Sequence, residues 1–249
     1  MTQTSKRLNL RKSLLFIGFI LATLTIAFAT PKSLKSAIAD PGKIGSSAVW
    51  QPPPDFITKA HAACDKANSP NYAECFIDQM SKSEAPADAV SFTNLLYRQS
   101  DGQVGIMVDF HKVGPVDVVR VMYPLRANEN YGLLLINGDP PILDVDDLKK
   151  LDRAAMEQSP MYQAVKQKYP ATDIWPGDRS GTTWPQVKPL PDGGQQFIVG
   201  YPLINGCPTC AHAGTALFTW NFTADGKFTG TSFMGLTPPP LTNSAPSQQ

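Results

Sequence analysis

Between Gln195 and Leu236 the chain alternates so regularly that few folds remain open to it. Phe218, Trp220 and Phe222 interleave with Leu217, Thr219 and Asn221, the period of two that marks a strand with one buried face. Gln195–Tyr201 reads as a strand before it and Lys227–Leu236 as a strand after it, with Asp225-Gly226 as the hairpin turn between the last two. Cys207-Pro208-Thr209-Cys210 and His212 fill the connection between the first two strands. The C-terminal third is therefore antiparallel β structure, and the preceding residues must cover its apolar face.

Those residues supply helices first. Phe56, Ala60, Ala63 and Cys64 share one helical face. Ser69 and Pro70 have the chemistry of a cap and first position for a second helix with Tyr72, Cys75, Phe76 and Met80 inward. A tight helical hairpin sets Cys64 and Cys75 at matching depth, so a disulfide between them is expected. A third helix spans about 86–99, with Ala89, Phe92 and Leu96 inward. Val104, Ile106, Val108 and Phe110 then alternate with Gly105, Met107, Asp109 and His111, and Val116–Tyr123 reads as apolar on both faces, as a central strand is. Tyr131–Ile136 forms a third strand, stopped by Asn137-Gly138. Two helices follow, the first capped by Asp144 with Leu148, Leu151 and Ala155 inward, the second opened by Ser159-Pro160 with Tyr162, Val165 and Tyr169 inward. No repeat is visible. The sum is an α+β fold: one antiparallel sheet of about six strands, an N-terminal disulfide-linked helical hairpin, and two helices inserted between strands three and four.

The ends indicate compartment. Lys6, Arg7, Arg11 and Lys12 precede an apolar run over 14–29 that closes on Ala27-Phe28-Ala29, the pattern of a signal peptide, or of an anchor if it is retained. A second small-residue site is Ala37-Ile38-Ala39. The expected organisation is a signal segment 1–29, a linker 30–53, a single domain 54–236 and a disordered tail 237–249. The protein is then periplasmic or secreted, touching membrane only through an uncleaved N-terminal segment. Removing 1–29 takes four positive charges from 22 Lys and Arg against 21 Asp and Glu, leaving 18 against 21, a net charge of −3. A mildly acidic chain without clustered basic residues argues against nucleic-acid binding.

Several groups have the chemistry of a site. Cys207 and Cys210 share the spacing of thiol–disulfide oxidoreductases, and the proline after the first cysteine resembles the glutaredoxin motif. That motif implies a helix after the second cysteine, whereas Thr215–Phe222 has strand periodicity, so a structural disulfide stiffening the loop is the expectation. Zinc at Cys207, Cys210 and His212 would need a fourth ligand and reduced thiols. The same loop, with its histidine and the tryptophan-bearing strand behind it, resembles the Ivy-type periplasmic lysozyme inhibitors, whose disulfide-closed loop carries a histidine into the enzyme cleft. Here His212 follows the second cysteine instead of lying between the pair.

Other candidates are weaker. Asp139, Asp144, Asp146 and Asp147 lack the spacing of an EF-hand and suit a helix N-terminus. Asp109 and His111 share one strand face as ordinary polar alternation or as an acid–base pair, and a hydrolase built on His111, His212 and Asp109 would require a shared metal. Ser180 lacks a nucleophile motif. Asn221-Phe222-Thr223 is a glycosylation sequon, yet Asn221 falls inside a strand. The irregular stretch 170–194 carries Trp175, Arg179 and Trp184, residue types that dominate binding surfaces. The reading is a non-catalytic binding or inhibitory protein of the cell envelope, engaging a protein or glycan through loops 175–184 and 205–214. Trp175, Arg179, Trp184 and His212 are its contact residues, and neither cofactor nor metal is expected. The alternative is a periplasmic thiol–disulfide oxidoreductase using Cys207 and Cys210.

Overall fold

The computed structural model describes residues 42–127, 130–177, 183–207 and 209–239. Residues 1–41, with the signal-like segment, and 240–249 lie outside them. No helix among the described residues is long and apolar enough to cross a membrane. The fold is α+β, but it holds two antiparallel sheets instead of the single sheet expected. The first is a meander of β1 (Ile106–His111), β2 (Asp117–Met122), β3 (Tyr131–Ile136) and β4 (Ile142–Asp144). The second has β5 (Thr172–Ile174) and β6 (Gln186–Pro189) end to end along one edge of β7 (Gln195–Asn205), followed by β8 (His212–Phe222) and β9 (Phe228–Thr237).

Burial explains the division. Strands β2 and β3 are apolar on both faces because each face meets a different layer. Val118, Leu133 and Leu135 point toward Phe197, Val199, Tyr201, Phe218, Trp220 and Phe222 of the second sheet. Val119, Val121, Leu134 and Ile136 point the other way, onto Phe92 and Leu96 of α3 (Ala87–Gln99). The period of two is nearly complete on β7, where Phe197, Val199, Tyr201 and Leu203 are buried and the residues between them half-buried.

The helical layer contains the expected hairpin, α1 (Phe56–Lys66) and α2 (Tyr72–Lys82), joined by the Cys64–Cys75 disulfide. Its second helix starts later than Ser69-Pro70 suggested: Asn71 is the cap, its side chain accepting from the Glu74 N–H at 3.2 Å. Phe56, Phe76 and Met80 pack with Trp50 and Ile106. Residues 42–53 also lie against the fold: Ala48 and Trp50 are buried, Trp50 N–H donates to Met107, and Ile44 exchanges hydrogen bonds with the Asn137 side chain.

The first inserted helix also begins later than expected, while the second begins at Ser159-Pro160 as the sequence suggests. Asp144 ends β4 instead of capping a helix, and its carboxylate accepts from the Asp146 N–H. Asp147 caps a short turn, Leu148–Lys150. Asp152 caps α4 (Arg153–Gln158), which α5 (Pro160–Lys168) follows at once with proline in its first turn. The competition among closely spaced aspartates, each able to bond a neighbouring N–H, is what blurred this boundary in the sequence.

Candidate functional site

Two charged side chains stand on β2, and the fold treats them differently. Asp117 is buried and satisfied, accepting from Val113 N–H, Gly114 N–H and Asn137 Nδ2. Arg120 is not. Its side chain is 16% exposed, and among the described residues it bonds from Nη1 to Asp109 Oδ2 at 3.4 Å, a carboxylate about half exposed. Nε and Nη2 are shut from solvent with no acceptor among the described residues. Each buried donor left open costs about 1–3 kcal/mol.

A bulge builds this arrangement. The pairing of β1 with β2 shifts between Met107 and Asp109, which sets Asp109 opposite Arg120 and His111 opposite Val118. All of these share the face turned toward the second sheet. From that side Trp184 reaches across: its ring lies 4.6 Å from the Arg120 guanidinium carbon and stacks on His111 with centroids 5.4 Å apart and planes 25° apart. A cation held against an indole gains the ring's quadrupole field, more so when desolvated. Arg120 lines a groove of about 500 Å³ with Gln51, Pro52, Val108, Asp109, Met122 and Tyr131. Trp184 lines a neighbouring cleft of about 480 Å³ that reaches Leu133 and Gly200, and Leu133 is the cross-strand partner of Arg120.

The second sheet leaves room for this crossing. Strand β6 pairs with β7 only as far as Ile198, and β5 pairs only from Leu203 onward. Beside this gap the connection from β5 to β6 begins, with Trp175 N–H anchored on the Pro202 carbonyl and Gly177 N–H on Asp146 Oδ1, both at 2.9 Å. Trp175 is half-buried at the start of the same connection, while Arg179 and Ser180 lie outside the described residues.

The cysteine loop stands elsewhere on this edge. Cys207 and Cys210 are bonded and exposed at the tip of the β7–β8 hairpin, roughly 16 Å along β7 from the Trp175 anchor at the strand rise per residue. The chain enters β8 directly after them, with no helix to depress a thiol pKa. His212 pairs with Ile204, and its Nε2 is buried with no partner among the described residues. No group of three or more His, Cys, Asp or Glu side chains able to hold a metal occurs among the described residues, so His111, His212 and Asp109 do not converge.

A third concavity, about 780 Å³, is lined by Arg126, Asp144, Asp146, Lys149 and Lys150 among others. Burial pushes the Asp144 carboxyl above its ordinary value of 3.8, and it raises the neighbouring Tyr123 hydroxyl as well. A carboxyl raised in the folded state favours folding while protonated: its contribution is complete below pH 3.8 and is lost as pH rises through the raised value. Asp144→Asn is therefore expected to flatten that fall, and its stability advantage over the wild type should grow above pH 4 in denaturant titrations. A profile unchanged by the substitution would refute this assignment.

Arg120 was the residue hardest to foresee. Its signal is an arginine among the valines of a central strand, where a charge demands a partner. Comparison of the chain with protein-family models, with curated proteins and with solved structures finds no match to any of them.

Proposed function

We propose that this chain is an exported binding or inhibitory protein of the cell envelope, and that its contact surface is the face of the first sheet where Trp184 meets Arg120 and His111. The observation that carries the reading is the stack of Trp184 on Arg120 and His111 between two open clefts. Trp and Arg concentrate binding energy when an apolar body and a directional charge meet in a partly desolvated recess. Two disulfides support an oxidising compartment, and the signal-like segment 1–29 agrees with export. The partner is an envelope protein or glycan.

Binding of the purified chain to peptidoglycan sacculi and to a panel of lysozymes is the test. One of these is expected to bind saturably, and Trp184→Ala is expected to weaken it about tenfold or more with the far-ultraviolet circular dichroism unchanged. No binding to either class, or binding indifferent to Trp184, would overturn the reading. The exposure of both Cys207 and Cys210 favours thiol–disulfide exchange as a second reading, since exposed disulfides are the labile ones. Insulin reduction that disappears in Cys207→Ser is its signature.

A further inference from the structure

We infer that Arg120 is a receptor for a carboxylate, bound through the edge of the guanidinium formed by Nε and Nη2; the inference rests on the binding function above and names the chemistry of its ligand. Among the described residues, Arg120 is the side chain that leaves two buried nitrogens open at once. The two are adjacent on one edge of the planar group. That edge forms the fork that takes both oxygens of a carboxylate in parallel hydrogen bonds.

The groups around the fork do not satisfy it. Asp109 meets Nη1 alone, and its other oxygen accepts from the Phe110 N–H at 2.9 Å, so the carboxylate is tied to its own strand. Trp184 engages the guanidinium through its ring and offers no acceptor to N–H groups. Gln51 donates its amide to the Val108 carbonyl at 2.6 Å and accepts from neither open nitrogen. The remaining lining is Pro52, Val108, Met122 and Tyr131, mostly apolar, which strengthens any ion pair formed there. A groove of about 500 Å³ is the size of a small-molecule subsite. Because both nitrogens are closed to solvent, a carboxylate reaches them only as the side chains around them shift, and the Trp184 ring, 4.6 Å from the guanidinium carbon, should report that change.

Two sources present this group, a peptide C-terminus and an acidic sugar. The probes are N-acetyl-alanyl-alanine and glucuronic acid, each with a neutral control, the dipeptide amide and glucose. Each is titrated into the full chain at low salt while tryptophan fluorescence is followed in the wild type and in Trp184→Phe. At least one carboxylate should bind saturably with a signal that Trp184→Phe removes, and neither neutral control should bind. Which probe binds identifies the source. Arg120→Met should abolish binding without lowering the melting temperature, because an apolar side chain of similar length relieves the open donors. Arg120→Lys keeps the charge without the fork and should weaken binding about tenfold or more. Failure of both carboxylates to bind the wild type, or equal binding by Arg120→Met or Arg120→Lys, would overturn the inference. If sacculi or lysozyme still bind in that case and still depend on Trp184, the envelope-binding function stands and only the carboxylate assignment falls.

Discussion

Replacing Trp220 by alanine is expected to cost about 3–5 kcal/mol of stability, the range for a large aromatic removed from a closed core. Trp220 is fully buried in β8, where the two sheets meet. Its ring lies 5.5 Å from that of Phe228, centroid to centroid. Its Nε1 donates to the Tyr201 hydroxyl at 2.9 Å, and that hydroxyl donates to the Val145 carbonyl at 2.8 Å. One relay thus ties the second sheet to the chain just beyond β4. Tyr201→Phe isolates the polar part: it leaves the indole N–H and the carbonyl both unpartnered and should cost about 1–3 kcal/mol for each. Urea unfolding of the purified chain measures both variants. A loss below about 1 kcal/mol for Trp220→Ala would mean the sheets do not close on this residue.

The second large effect concerns the disulfides. Cys64 is wholly buried on α1 and bonded to Cys75 on α2, eleven residues away. Replacing both by alanine removes a cross-link worth about 3 kcal/mol on the loop-entropy estimate. The Cys207–Cys210 bond closes a much shorter, exposed loop, and the same estimate gives about 2 kcal/mol. The helical pair should therefore show the larger drop in melting temperature, and the hairpin pair should react first with dithiothreitol in a timed alkylation series. Equal reactivity would contradict the difference in burial.

What could be read in the sequence depended on length and locality. The alternation along 217–222 is long enough to fix both the strand and its buried face, and Trp220 falls where that alternation puts it. Cys64 and Cys75 were legible because both lie on one hairpin. By contrast β4 and β5 have three residues each and β6 four, too few for a period to register, so two sheets merged into one. The double-sided burial of β2 was visible, but a strand buried on both faces can be central in a sheet, sandwiched between layers, or both. For the site, Trp184 stood out by residue type. Its contact with Arg120 joins residues 64 apart in the chain, beside a bulge at 107–109 that leaves no compositional trace.

In both sheets, most strands pair with the strands that precede or follow them in the chain. Much of the pairing can therefore form from local hairpins before the layers meet, with little loop entropy spent in advance. The contacts of long sequence separation are concentrated in the face-to-face closure of Val118, Leu133 and Leu135 on Phe197, Tyr201 and Trp220. That closure is the step expected to limit the rate of folding. Substitutions on those inner faces should slow refolding, while changes in the exposed hairpin tip at 206–211 should act chiefly on unfolding.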